Sequence, residues 1–203
     1  MKKVILTALA IGTLVFTGCA TKPHYVGVES TKDMPTTMSI DRRDFQKAAN
    51  ETIKDMLGSG ALDKKGGGRY VVAMGRMIND TTQRIDTDML MKQIRIALLK
   101  SGKAVITTAV AAGGPEDEMT KEVRKLRADD EFKQSTIAKK GTIYAPDMSL
   151  AGKIMQRIVK SGDEDQLVEY YFDLTLTHLE TGLAFWEGES IVGKVGSNDS
   201  VIW

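Results

Sequence analysis

The side chains with the widest chemical repertoire near neutral pH are two histidines, His24 and His178, and one cysteine, Cys19. Three such groups cannot supply the four N/S ligands of a structural zinc site, and a lone cysteine excludes an internal disulfide framework. His178 falls at the end of a strand-like run beside a turn. No Gly-x-Ser-x-Gly elbow exists to complete a hydrolase triad with it, so a periplasmic hydrolase centred on His178 is set aside. The acidic runs Glu116–Glu118, Asp129–Glu131 and Asp163–Asp165 sit where helix starts and turns favour acids, and none has EF-hand spacing; they read as solvated caps. Gly66-Gly67-Gly68 is followed by Arg69 and Tyr70 rather than the Lys-Ser/Thr of a phosphate loop. Eleven methionines read as gap-filling core residues rather than a metal box. The expectation is a protein with no catalytic residue, no metal and no cofactor. With 28 Lys and Arg against 27 Asp and Glu, net charge +1, it also lacks a field for nucleic acid.

Chemistry of another kind gathers at the N-terminus. Lys2 and Lys3 precede an apolar stretch from Val4 to Phe16, too short to cross a bilayer that needs roughly 20 apolar residues. Phe16-Thr17-Gly18-Cys19 resembles a bacterial lipobox, with Phe16 where Leu is usual. Residues 1–18 are therefore expected to be a lipoprotein signal peptide and Cys19 the lipidated N-terminus. Two or more acyl chains would hold the protein stably, where one holds marginally. Ala20 after the cysteine favours the outer membrane, with the body facing the periplasm. Residues 19–38 contain Pro23, Pro35 and several Thr without helical or strand period, and read as a flexible tether reaching roughly 60 Å if fully extended.

Residues 39–203 read as a single globular α/β domain, since 42% of the chain is hydrophobic and 27% charged. Phe45, Ala48, Ala49, Thr52, Ile53, Met56 and Leu57 recur at helical spacing from Asp41 to the stop at Gly58 and Gly60. Tyr70–Ile78 suits a buried strand. Asp86 or Thr87 can cap a helix with Leu90, Met91, Ile94, Ala97 and Leu98 on one face and Gly102 beyond its end; Lys103–Thr108 then makes a second, parallel strand. Pro115 and the acids after it predict a third helix with Met119, Val123 and Leu126 on its apolar face. Asp129–Ile137 predicts another short helix. The C-terminal third switches to period 2: Tyr170, Phe172, Leu174 and Leu176 alternate with polar neighbours, between strands predicted at Leu150–Val159 and Leu183–Ile191. The fold class is α/β, a mixed sheet flanked by helices on one or both faces with a C-terminal antiparallel meander.

Three segments together resemble the penicillin-binding-protein activator lipoproteins of the LpoB family: Arg76–Thr87, Ile96–Lys103 and Leu174–Gly188, within a resemblance spanning roughly residues 40 to 195. It implies a domain similar to the N-terminal domain of TolB and a regulator rather than an enzyme. Its partner would be the regulatory domain of a class A penicillin-binding protein, whose peptidoglycan synthesis it stimulates, and its body would be monomeric. The tether here is shorter than in the best-known members. A structural or secretion-channel lipoprotein of the curli-secretion type is the competing expectation. Arg76, Arg157 and Tyr171 are candidate partner contacts because Arg and Tyr are enriched at interface centres, and they are otherwise solvated strand residues. Asn79, Thr81 and Arg84 join them from the first segment. Asn79–Thr82 has the alternative role of a plain strand-to-helix turn, and Trp186 that of a core anchor.

Overall fold

Asp41 sets where the first helix begins. Its backbone is extended, and its carboxylate accepts from the amides of Arg43 (2.7 Å) and Asp44 (3.3 Å), while Asp44 accepts from the Asp41 amide (2.7 Å). This reciprocal box satisfies donors that a helix start would otherwise leave orphaned. Helix α1 then runs Arg42–Gly58 and buries Phe45, Ala48, Ala49, Thr52, Ile53 and Met56 along one stripe. The computed structural model describes residues 37–112, 116–161 and 164–200. The leader, Cys19 and the tether through Thr36 lie outside these residues, as do Gly113–Pro115.

The other main elements are β1 (Tyr70–Asp80), α2 (Thr87–Ser101), β2 (Ala104–Thr107), α3 (Met119–Lys125), β3 (Met148–Ser161), β4 (Asp165–His178) and β5 (Leu183–Ser197). Asp86 caps α2 and Gly102 ends it with φ +70°, a left-handed residue that glycine adopts without penalty. The sheet has the order β2-β1-β3-β4-β5, parallel at β1/β2 and β1/β3 and antiparallel at β3/β4 and β4/β5. Val168, Tyr170, Phe172, Leu174 and Leu176 face the helices and are all but fully buried. Phe45 of α1 meets Phe172 edge-on with ring centroids 6.0 Å apart. Helix α1 packs on β5 and α2, and α2 packs on β1 and β2, so one core lies between these two helices and one face of the sheet.

Several boundaries differ from the expectations. Met38, assigned to the end of the tether, is 7% exposed and belongs to the core. Asn79 and Asp80 are not a turn but the last residues of β1, paired with Ile154 and Met155. The third helix starts only at Met119, and its expected apolar face is open: Met119 is 60% exposed and Val123 37%. The segment folds on itself instead. Arg124 bonds Thr120 O and Thr142 Oγ1, Arg127 bonds Ala138 O, and Gln134 bonds Leu126 O and Asp129 O. Asp129–Ile137 holds one 3-10 turn, Gln134–Thr136, rather than a helix. Strand β5 runs six residues past Ile191, because its inward positions there are Val192, Lys194 and Gly196, which break the apolar pattern while the alternation continues.

Candidate docking surface

The face of the sheet turned away from α1 and α2 carries its own ordered rows of side chains, fixed by strand register. Directly opposed residues on neighbouring strands share a face. One row is Val159, Leu167 and Val195; the next is Arg157, Glu169 and Gly193; then come Met155, Tyr171 and Ile191, followed by Lys153, Asp173 and Glu189. The apolar members are partly open to solvent, with Val195 63% and Ile191 45% exposed. Gly193 leaves a gap between them, since no side chain fills its place in the row.

Two of the six candidates, Arg157 and Tyr171, meet here as diagonal neighbours. The Tyr171 hydroxyl donates to Glu169 Oε2 at 2.8 Å. That bond to a carboxylate holds the phenol's pKa above its ordinary 10, while the nearby Arg157 guanidinium pulls the other way. Lys153 turns aside to pair with Asp80 Oδ2 at 2.5 Å, and Asp173 Oδ1 is buried without a hydrogen-bond partner among the described residues. Beside it, Asp173, Thr175, Glu187 and Glu189 line an open groove of about 420 Å³. The surface thus combines exposed apolar side chains, a polar cluster of Arg157, Glu169 and Tyr171, and an acidic margin. This arrangement suits recognition of a protein surface, where apolar contact gives affinity and charge gives register.

Asn79, Thr81 and Arg84 lie off this face, at the end of β1, where Asn79 opposes Ile154 of the core side. Asn79 Nδ2 donates to Gln83 O at 2.8 Å, and the Thr81 hydroxyl donates to Asn79 Oδ1 at 2.8 Å. The amide and hydroxyl of Thr82 both reach Gln156 Oε1, at 3.0 and 2.9 Å. Asn79, at the end of β1, and Thr81 therefore brace the turn that follows the strand, and that turn leans on Gln156 of β3, whose side chain shares the face of buried Tyr170 rather than that of Arg157. Arg84 projects from the turn, exposed, with no ion pair among the described residues. Arg76 lies apart, exposed on a bulge in β1 where the register against β3 shifts between Met74 and Met77. Trp186 is 8% exposed and its indole donates to Asp55 Oδ2 of α1 at 2.8 Å, so it anchors the core. His178 stacks on Phe185 at 5.1 Å and has Thr181 Oγ1 3.2 Å from its Nδ1.

Sequence reasoning missed Ile191, Val195, Glu169 and Asp173 as members of the surface. The alternation of β5 beyond Ile191 was the available signal, since the outward residues Ile191, Gly193 and Val195 stand at every second position.

The family model of the peptidoglycan-synthase activator LpoB matches residues 44–192. The chain belongs to this family. The matched span takes in the turn after β1 and nearly all of the helix-free face. Among solved structures, this LpoB-family chain resembles the LpoB C-terminal domain from Salmonella enterica, at 14% identity and a TM-score of 0.43, over 73% of this chain and 98% of that one. It also resembles the LpoB C-terminal domain from Escherichia coli, at 14% identity and a TM-score of 0.42, over 74% and 99%. The solution structure of E. coli LpoB matches 96% of this chain and 85% of its own, at 12% identity and a TM-score of 0.38. No curated protein matches.

Proposed function

We propose that this chain is an outer-membrane lipoprotein, held by lipid on Cys19 and facing the periplasm, that binds a class A penicillin-binding protein and raises its peptidoglycan synthesis. The observation that carries the reading is membership of the peptidoglycan-synthase activator family across residues 44–192. The lipobox-like Phe16–Cys19 supports the anchor. The helix-free face, with Arg157 and Tyr171 on it, is the proposed docking surface. An activator of this kind must bind the working conformation of the synthase more tightly than the resting one, because equal affinity for both shifts no population. The protein itself then needs to supply only contacts.

The test is glycan polymerisation by a class A penicillin-binding protein from the same cell, with and without the mature chain beginning at Cys19. The expected outcome is a faster rate together with capture of the synthase by crosslinking in intact cells. An unchanged rate with every such synthase of that cell removes the reading.

A further inference from the structure

The five residues that lead into α1, Thr37–Asp41, form a strap whose members are held from three different elements. Lys194 of β5, with its side chain 3% exposed, donates to Thr37 O at 3.2 Å and Ser39 O at 2.6 Å and pairs with Asp44 Oδ2 at 2.6 Å. The Tyr170 hydroxyl of β4 donates to Met38 O at 3.0 Å. Gln83, in the turn after β1, accepts from the Ile40 amide at 3.1 Å through Oε1 and donates from Nε2 to the Tyr170 oxygen at 2.5 Å. The Met38 side chain lies against Gly196, where an added Cβ would sit 2.7 Å from its sulfur. Met38, Gln83, Tyr170 and Lys194 are all buried.

Gln83 is the member shared with the turn that follows β1. Its side chain belongs to the strap, while its backbone carbonyl accepts from Asn79 and its amide donates to Thr81 Oγ1 at 3.1 Å. If the strap lifts, the Gln83 amide oxygen loses the Ile40 amide and the Tyr170 hydroxyl loses Met38 O, while Gln83 Nε2 keeps the Tyr170 oxygen. Leaving such groups unpaired in a dry site is costly, so the lowest-energy response is for Gln83 to move with the strap and carry the turn along.

We propose that the strap Thr37–Asp41 and the turn Thr81–Arg84 open and close as one cooperative unit, so that displacement of the chain preceding Thr37 is transmitted through Gln83 and Tyr170 to the turn. Coupling of this kind is reciprocal: whatever fixes the turn also fixes the strap. The device thereby connects the point where the N-terminal segment joins the body to the turn at the far end of β1. It holds whether or not a synthase is the partner, because it involves only contacts within this chain.

The test is amide hydrogen exchange on the mature chain, comparing wild type with Lys194→Met, which removes the bonds to Thr37 O and Ser39 O and leaves Gln83 and its own contacts in place. The expected result is acceleration at Met38–Asp41 and, by a similar factor of about tenfold, at Thr81–Ile85, with α2 amides Leu90–Leu98 unchanged. Acceleration of the strap with wild-type rates in the turn overturns the proposal. So does a uniform rise that includes α2, which would make the unit no smaller than the fold. If Lys194→Met does not fold because Asp44 is left without its cation, Met38→Ala loosens the same strap without burying a charge. Unaltered rates at both segments in Met38→Ala also overturn the proposal.

Discussion

At Gly152 the backbone of β3 comes so close to β4 that a Cβ would lie 2.3 Å from Asp173 O and 2.6 Å from a Leu174 methyl. Because the first of these is backbone, the strands themselves would have to shift. Gly152→Ala is expected to destabilise by about 1–3 kcal/mol, read as a lower urea midpoint with an unchanged m-value. Nothing in the local sequence marks this glycine as different from Gly193, whose Cβ would meet only Leu167 at 3.7 Å. The distinction is made by residues far along the chain. Asp147 gives a second prediction. The Val71 amide, at 2.8 Å, and then Lys64, at 3.0 Å, hold its carboxyl below the ordinary 3.8. A carboxylate with a depressed pKa contributes its stability above the unfolded value and loses it as pH falls through the folded one. Wild type should therefore lose stability as pH drops below about 3.8, and Asp147→Asn should flatten that limb of the curve while lowering stability at pH 7. Thermal melts across pH 2–7 compare the two. Lys194 was also invisible in the sequence, since a hydropathy pattern assigns a lysine to solvent unless its partners are known.

At the scale of elements, the readable parts were those whose signals are local. Asp41, Asp86 and Gly102 announce helix ends through side-chain capping and a left-handed residue, and the structure places α1 and α2 within a residue of the expected limits. The strict alternation of β4 is equally local, because its inward positions from Val168 to Leu176 are all apolar. Removal of the α1 cap by Asp41→Ala is expected to cost about 1 kcal/mol, measured by chemical denaturation. The loss includes the Arg43 ion pair at 3.0 Å, a minor part since both side chains reach solvent. The third helix failed as an expectation for the opposite reason. Acids and an apolar stripe predict that a helix can form; whether a sheet waits to receive the stripe is decided by the connection's path. Between β2 and β3 the chain chose internal hydrogen bonds and left Met119 and Val123 uncovered.

At the scale of the whole molecule, the mixed α/β class, the parallel β1/β2 pair and the C-terminal meander were legible, while the candidate surface was only half so. Composition singled out Arg157 and Tyr171, but their adjacency depends on the β3–β4 register, and their setting beside Ile191 on β4–β5 pairing. Arg76, chosen on the same grounds, landed on a bulge outside the group. If the helix-free face docks the synthase, Arg157→Glu and Tyr171→Ala should each weaken binding by roughly 30-fold, the scale of a 2 kcal/mol hot spot, with Arg76→Glu near neutral. Surface plasmon resonance with the immobilised synthase distinguishes these. Equal losses from all three would indicate a general charge effect rather than a defined face.

The position of β1 at the inner side of β3 has a further consequence for how this polypeptide acquires its shape. Its contact with the β3 side of the sheet spans 76 residues, as in the bond from the Val71 amide to Asp147. By contrast β3, β4 and β5 join through short hairpins. Closing a long loop is entropically slower than zipping neighbouring strands. The C-terminal hairpins can therefore assemble first and serve as the template on which the earlier strand pair docks. A chain emerging N-terminus first would stay slack until its last third had appeared.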